Sequence, residues 1–450
     1  MKDRMAKLFG TDGIRGIALR DPITEEMGRR LGKALIRFLT GKGEAASVVI
    51  GRDTRASGEM LDLSVAEGVL TAGGTVYRVG VIPTPAVAYV TRAQSAGAGV
   101  VISASHNPHE YNGFKVFLSG GYKPSQEEER EVEALVLQGR GPSPRNGAVG
   151  VKEQENAQEQ YLAFLKGTLP KGFSLENRRI VIDCANGATF RTAPLLLARL
   201  GAKVEALFVT PDGMNINQDC GSEHTGSLCQ KVLDMKAHVG LAFDGDGDRL
   251  IAVDERGQVL SGDQILTIFA KMLHERGVLR NNLVVSTVMS NMGLGVALDA
   301  IGIEQVSTAV GDRWVMEEMR SRGAVLGGED SGHMIFSDYH TTGDGLLSAL
   351  QLLLSMETLH QSLSELGTLM RPFPQTLINV PVQTRPPLTE MPAVEKVIKE
   401  VEALLGKRGR VLVRYSGTEP VCRVMVEGER EGEVEGYADR IAEVINQTLN

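Results

Sequence analysis

Along most of the chain, hydrophobic and polar positions follow one repeating order. A short unbroken apolar run is followed by a turn of small and polar residues, an amphipathic stretch, a glycine and a second apolar run. The segments SVVIGRDTRASGEMLDLSVAEGVLTAGGTVYRVG (47–80), RRIVIDCANGATFRTAPLLLARLGAKVEALFV (178–209) and NLVVSTVMSNMGLGVALDAIGIEQVSTAVG (282–311) all show it. Short apolar runs bounded by turn residues predict covered strands, and the spacing between them predicts a helix. Such a strand, helix, strand unit favours parallel pairing with a right-handed crossover. Three related α/β domains with mixed, mostly parallel sheets are therefore expected.

The seams lie where composition changes. GRGPSPRNGAVG (139–150) is a Pro/Gly stretch, and QENAQEQYLAFLKGTL after it predicts a helix leading into the second unit. After LIAVDERGQVLSGDQ a new helix is expected near Gln264, and the proline clusters RPFPQ (371–375) and RPPLTEMP (385–392) mark a third change. Beyond them the pattern predicts strand, helix, two strands and a final helix, a small α+β domain. The expected division is 1–153, 154–255, 256–370 and 371–450.

Composition narrows the class. A chain of 450 residues exceeds what one core serves. Its 42% hydrophobic and 23% charged residues suit a globular protein. A net charge of −8 argues against a nucleic-acid or acidic-membrane partner, which needs a basic face, so any anionic ligand must be held by local arginines and lysines. The start MKDRMAKLFGTDG lacks the apolar core of a secretory signal, which makes the cytoplasm the expected location, with Met5 a candidate start. The most apolar window, Leu283 to Ile303, carries Asn291 and Asp299 and does not read as a membrane span. Cys184, Cys220, Cys229 and Cys422 show no paired spacing and are expected to be reduced; Cys220, His224 and Cys229 fit no common zinc pattern.

Four stretches carry candidate chemistry. In VVISASHNPHEYNGFK (100–115) an apolar strand runs into Ser105 and His106, and Pro108 keeps them out of a helix. In VGLAFDGDGDRLIAV (239–253) two apolar strands flank Asp244, Asp246 and Asp248. On an extended strand these carboxylates would stand roughly 7 Å apart, but Gly245 and Gly247 can adopt turn conformations that gather them. Three gathered carboxylates repel one another unless a divalent ion sits among them, and all-oxygen ligands point to magnesium or another hard ion. An EF-hand is rejected: its sixth position must be glycine and is Arg249, and the flanks are strands. RYSGTEP (414–420) offers Arg414, the hydroxyls of Ser416 and Thr418, and the open backbone of Gly417 to a phosphate. In GGEDSGHMIF (327–336), Glu329, Ser331 and His333 alternate and would face one way if extended, a mixed donor and acceptor set suited to sugar hydroxyls. GTDGIRG (10–16) places Arg15 as an anion contact on a loop ahead of any strong strand. No P-loop motif is present.

SASHNP, DGDGDR, GEDSGH and RYSGTEP, in that order and each in its own unit, resemble the α-D-phosphohexomutase family. The resemblance runs from GTDGIRG to the final helix. LFGTDGIRG, VISASHNP, GGEDSGH and SGTEPVCRVMVEG are most similar to the branch acting on glucosamine phosphates, whereas Tyr415 and CGSEHTGSL depart from it. The resemblance implies a catalytic phosphoserine at Ser105 that binds Mg2+ together with Asp244, Asp246 and Asp248. It implies conversion of glucosamine 6-phosphate to glucosamine 1-phosphate through a sugar 1,6-bisphosphate, feeding UDP-N-acetylglucosamine and cell-wall precursor synthesis. Arg249 and Lys115 would help neutralise the phosphoryl group, and Lys115, Arg15 and His333 are candidates for proton transfer or its support. His106 would shape the catalytic loop in preference to acting as base. Arg414, Ser416, Gly417 and Thr418 would grip the phosphate that is not reacting. Glu329, Ser331 and His333, with Thr308, Gly311 and Asp312 of STAVGDRW, would face the sugar. A phosphorylated hexosamine is the implied partner, and a homodimer is compatible with it. The alternatives are a mannose- or glucose-phosphate mutase of the same fold and, more distantly, a metal-dependent serine phosphatase.

Overall fold

The computed structural model describes residues 8–10, 12–139, 150–416 and 420–449. The chain separates into two compact units: residues up to Met289 together with Ile301–Leu369, and Ser290–Ala300 together with the chain from Met370 onward.

The first unit contains three sheets. In the first, β1 (Ile14–Ile17), β2 (Ser47–Arg52), β3 (Thr75–Val81), β4 (Ala98–Ile102), β5 (Tyr111–Leu118) and β6 (Gly150–Glu153) lie in the order β1-β5-β4-β2-β3-β6. β2 pairs in parallel with both β3 and β4, while β5 turns back antiparallel on β4 and carries β1 at its edge. The apolar run of β4 is buried at every position, as a strand covered on both faces must be. Helices Glu25–Gly41 and Gly58–Thr71 cross closely on one face. A Cβ at Gly32 would come within 2.3 Å of the Val65 carbonyl oxygen, and one at Gly68 within 2.2 Å of that of Arg29.

The second sheet holds β7 (Arg179–Asp183), β8 (Lys203–Leu207), β9 (Val239–Phe243), β10 (Leu250–Asp254) and β11 (Val259–Leu260) in the order β11-β10-β9-β7-β8. β7 is parallel to β8 and β9, and β9 and β10 form an antiparallel hairpin. The third holds β12 (Leu283–Thr287), β13 (Glu304–Thr308), β14 (Leu326–Gly328) and β15 (Met334–Phe336), with β12 parallel to β13 and β14. Each repeated sequence segment is thus a parallel strand, helix, strand unit. The helix ahead of the third sheet, Gly262–Glu275, starts two residues before Gln264. Ser261 caps it and Gln264 closes the capping box, so Gln264 occupies the third position of the helix.

The second unit is an antiparallel sheet, β16 (Gln375–Pro381), β17 (Gly409–Tyr415) and β18 (Val421–Gly428) in the order β16-β18-β17, with helices Pro392–Leu405 and Glu431–Leu449. Its core is made by residues such as Val394, Val401, Val424 and Ile441. The crossover helix of the third repeat, Met292–Asp299, clusters with this unit although sequence assigns it to the domain before. Local bonds account for that: the Met292 N–H donates to Glu427 Oε1 at 2.7 Å, and Asn291 bonds the Phe373 backbone through both ends of its amide. No described helix is long and apolar enough to cross a membrane.

Candidate functional site

Ser105 and the aspartate trio come from different sheets and meet. β4 delivers Ser105 just past its last buried residue, and the β9–β10 hairpin presents the aspartates on its connecting loop. Gly247 sits at φ +74°, and its N–H donates to the Asp244 carbonyl at 3.1 Å, which curls the loop. Gly245 serves differently from the sequence-based expectation. It takes no left-handed turn; it allows close approach, since a Cβ there would lie 2.6 Å from the Ser105 carbonyl oxygen. One ligand atom from each of Asp244, Asp246 and Asp248 lies within 4.8 Å of the others, and all three residues are buried. The Ser105 hydroxyl donates to Asp244 Oδ2 at 2.6 Å.

These carboxylates fit a hard divalent cation. Asp246 Oδ1 and Asp248 Oδ1 are buried without a hydrogen-bond partner, the cations nearest Asp248 Oδ1 being His333 Nδ1 at 3.6 Å and Arg249 Nε at 3.9 Å, beyond hydrogen-bond reach. Thr84 Oγ1 donates to Asp246 Oδ2 at 2.6 Å, and Lys115 Nζ contacts Asp246 Oδ2 at 2.7 Å, Asp248 Oδ2 at 2.9 Å and Asp12 Oδ2 at 3.1 Å. Buried carboxylate oxygens left without donors are expensive, and a bound cation satisfies them. The charges are correspondingly distorted. Burial, then Asp248 and Asp246, push the Asp244 carboxyl well above its usual range. Burial works in the same direction on Asp248, but Lys115, His333 and Arg249 outweigh it and hold that group well below the usual range. Burial disfavours the Lys115 ammonium, yet Asp12, Asp246 and Asp248 together keep it charged.

Beside this cluster opens a cleft of about 260 Å3, also within the first unit. Arg15, Lys123 and Arg249 line it with Asp12, Asp248, Asp312 and Glu329, and His106, Val310, Gly311 and His333 complete it. Arg15 lies on strand β1 opposite Gly113, not on the loop expected from sequence, because IRGI pairs with the edge of β5. It forms an ion pair with Asp12. His106 Nδ1 is 3.4 Å from the Ser105 hydroxyl, and burial and Arg249 push the imidazole down to about 4, so it is neutral. Burial also works against a charged His333, but Asp248 and Asp312 outweigh it and push its pKa to about 10; the Gly343 N–H, 3.1 Å from Nε2, opposes that second proton.

Residues 329–333 are not an extended segment. β14 ends at Gly328 and β15 starts at Met334; between them the Gly332 N–H donates to the Glu329 carbonyl in a turn with Gly332 at φ +88°. Alternation therefore does not govern their directions: Glu329 and His333 line the cleft and Ser331 does not. Gly311 and Asp312 reach the cleft at the start of a helix, whereas Thr308 closes a strand and its hydroxyl donates to the Ser286 carbonyl at 3.2 Å. Lys115 is enclosed by the carboxylates and does not line the cleft.

In the second unit, Arg414 faces Arg423 in the β17–β18 register. Burial and Arg423 hold the Arg414 guanidinium below its ordinary value, the condition a bound anion relieves. Ser416 is buried and its N–H donates to the Val421 carbonyl at 2.9 Å. Gly417 and Thr418 lie outside the described residues.

Sequence reasoning missed Asp12, Lys123 and Thr84. Lys123 forms ion pairs with Asp12 and Asp312, joining the first and third sheets' domains across the cleft. A lysine between Gly-Tyr and Pro in a loop, and an aspartate beside Arg15, were the signals available. Arg423 was legible only through hairpin register.

Comparison with known proteins agrees with this geometry. Models of the phosphoglucomutase/phosphomannomutase α/β/α domains I, II and III match residues 6–141, 159–257 and 261–373, and the C-terminal domain model matches 377–444. The phosphoglucosamine mutase of Syntrophus aciditrophicus is 48% identical over 448 residues, covering 99% of this chain and 100% of that protein. That of Desulfovibrio desulfuricans is 49% identical over 447 residues, covering 98% and 99%. The crystal structure of a phosphoglucomutase/phosphomannomutase family protein from Burkholderia thailandensis superposes with a TM-score of 0.82 at 24% identity, covering 99% of this chain and 98% of its own. With four domain models matched in order, near-half identity over the full length, and a buried serine on an aspartate trio, the chain belongs to the phosphoglucomutase/phosphomannomutase family of phosphohexomutases.

Proposed function

We propose that this enzyme is a phosphoglucosamine mutase that interconverts glucosamine 6-phosphate and glucosamine 1-phosphate by way of phosphoserine at Ser105. The observation that carries the proposal is the 2.6 Å bond from the Ser105 hydroxyl to Asp244, within a carboxylate trio holding two buried oxygens that accept no hydrogen bond. Asp244, Asp246 and Asp248 would hold Mg2+, which when bound withdraws charge from the transferring phosphoryl group. The aspartates fix that charge beside Ser105, and Thr84 and Lys115 fix the aspartates. Arg249 and Arg15 bring positive charge to the cleft where the phosphoryl group must pass. The bond from phosphorus to Ser105 Oγ breaks as one to the sugar C1 oxygen forms, the proton lost by the C1 hydroxyl being balanced by the one that restores the Ser105 hydroxyl. After the 1,6-bisphosphate reorients, the bond from phosphorus to the C6 oxygen breaks as one to Ser105 Oγ forms, and the serine proton is balanced by the one gained at the C6 oxygen.

Lys115 and Arg15 are held in their charged forms by the carboxylates around them, so they balance charge and do not accept the hydroxyl proton. Glu329 and His333, which line the cleft with Gly311 and Asp312, would read the sugar hydroxyls. A hexosamine phosphate carries an ammonium as well as a phosphate, and a cleft with four carboxylates among its cations offers partners to both. Arg414, Ser416, Gly417 and Thr418, with Arg423, would grip the non-reacting phosphate. The work would divide among segments 1–153, 154–255, 256–370 and 371–450: serine, metal, sugar and distal phosphate. A charged sugar phosphate does not cross a bilayer unaided, so a cytoplasmic location accompanies the proposal.

The test is turnover of glucosamine, glucose and mannose 6-phosphates with Mg2+ and glucose 1,6-bisphosphate, alongside intact-mass analysis of the protein. Glucosamine 1-phosphate should form fastest, and a single phosphoryl adduct should map to Ser105 and vanish in Ser105→Ala. Faster turnover of a neutral sugar would reassign the substrate. Release of inorganic phosphate at each turnover would make the protein a phosphatase.

A further inference from the structure

Beneath Ser105 lies an arrangement that none of the site motifs announces. Ser105 has φ +54°, a left-handed conformation that a residue with a side chain adopts only when its surroundings impose it. Arg55, in the turn after β2, is 1% exposed. Its guanidinium has five N–H donors, and five acceptors meet them. Nε donates to Asp53 Oδ2 at 2.9 Å; Nη1 donates to the Pro108 carbonyl and, at 3.0 Å, to that of Tyr111; Nη2 donates to the carbonyls of Ser105 at 3.0 Å and Asn107 at 2.8 Å. From the second sheet's domain, Asn217 Nδ2 donates to the same two carbonyls, Ser105 and Asn107, at 2.9 Å each. The Asn217 backbone N–H is itself tied to the Ala185 carbonyl at 2.9 Å.

Each of the two carbonyl oxygens therefore accepts one bond from Arg55 and one from Asn217, which uses both of its lone pairs. The serine loop is gripped through its backbone from the domain that owns it and from the domain that owns the aspartates. We propose that Arg55 and Asn217 are positioning residues, a two-sided carbonyl clamp that holds Ser105 against the aspartate trio while the serine gains and loses its phosphoryl group. The proposal rests on Ser105 being the phosphoryl carrier. Phosphorylation places about −1.5 to −2 charges beside three carboxylates, and its loss removes them, so each half-reaction changes the force on the loop. A clamp on carbonyl oxygens touches no reacting atom and holds equally in both states. The guanidinium is the side chain that can do this, because lysine's three donors cannot satisfy five acceptors.

The experiment compares wild type with Asn217→Ala, Asn217→Asp and Arg55→Lys in the full-length enzyme. It reads amide hydrogen exchange at residues 104–107, the rate of Ser105 phosphorylation by glucose 1,6-bisphosphate, and kcat and KM separately. In Asn217→Ala, exchange of the loop amides should rise about tenfold, with phosphorylation and kcat falling about tenfold and KM changing less than about twofold, as the loss of two neutral hydrogen bonds requires. Asn217→Asp should fall further, since its carboxylate would face two carbonyl oxygens. If Arg55→Lys does not fold, the Asn217 pair decides. Unchanged loop exchange overturns the clamp, and raised exchange with unchanged kcat, or a change confined to KM, overturns its positioning role. Absence of any adduct in wild type would refute Ser105 as carrier, and the exchange data would still judge the clamp.

Discussion

Asp344 offers a pH test in which structure dictates both sign and size. It caps helix Gly345–Leu359 by accepting from the Leu347 N–H at 3.0 Å, and both its oxygens accept from the Tyr161 hydroxyl at 2.8 Å. Burial outweighs these bonds and pushes its pKa from near 3.8 up to about 7. The folded protein thus keeps a proton that the unfolded chain releases between about pH 4 and pH 7. Since the folded state binds more protons in that window, stability falls as pH rises through it and is flat on either side. At about 1.36 kcal/mol for each pH unit between the two values, the carboxylate costs ~4 kcal/mol above pH 7. Asp344→Asn imitates the protonated form permanently, keeps the cap, and loses at most about one hydrogen bond's worth, ~1 kcal/mol, at every pH. The variant should already exceed wild type slightly at pH 5, where about 1.6 kcal/mol of the carboxylate's cost is present, and exceed it by about 3 kcal/mol at pH 8. At roughly 2 °C per kcal/mol for a large domain, the melting difference between those pH values should change by several degrees. Scanning calorimetry of both proteins at fixed Mg2+ reads it, and comparing variant with wild type at each pH avoids assuming that a multidomain chain melts in one step. A melting difference that stays constant from pH 5 to pH 8 refutes the buried, protonated Asp344.

Other outcomes follow from the same contacts. Glu129 and Arg313 form a two-pronged buried ion pair between helices Gln126–Gln138 and Asp312–Arg322, so Glu129→Ala should destabilise the first unit by about 3–5 kcal/mol in thermal melts, and Glu129→Met with Arg313→Met should recover most of it. Lys115→Met leaves Asp12, Asp246 and Asp248 facing one another, so its melting temperature should rise more on adding Mg2+ than that of wild type; an equal rise would mean that the lysine is not balancing the site. Gly245→Ala would set a methyl 2.6 Å from the Ser105 carbonyl and 2.8 Å from Asn217 Nδ2, and kcat should drop at least about a hundredfold in a protein with an unchanged circular dichroism spectrum.

The fold was legible wherever burial and period coincide. Val100 to Ile102, Ile180 to Ile182 and Val284 and Val285 are apolar runs whose only solution is a covered strand, and the helices between them left no choice but parallel pairing. Helix Met292–Asp299 belongs by sequence repeat and by the domain III match to the third α/β segment, yet it clusters with the second unit because Met292 and Asn291 meet Glu427 and Phe373 across a large separation in sequence, which no local pattern encodes. At the site, Asp244, Asp246 and Asp248 were readable because alternating glycines in a hairpin loop have few purposes. Glu329, Ser331 and His333 would share one face only on an extended chain, and the turn at Gly332 removes that condition.

Paired charges explain why Asp12 and Lys123 escaped notice. Each is ordinary in its own segment and gains meaning from the other: Asp12 touches Arg15, Lys115 and Lys123, and Lys123 goes on to Asp312, which reaches His333 Nε2 at 3.3 Å. His333 Nδ1 in turn lies 3.6 Å from Asp248 Oδ1, so the chain of alternating charges closes back on the aspartate trio. A ring of this kind favours the charged forms of its carboxylates, lysines and His333 in a buried setting that works against them. It also ties the cleft's charge to the metal position: removing one member shifts the balance at all the others. The acidic motif announces itself in sequence, but the cations that make it tolerable come from three separate segments, and folding alone brings them to one place.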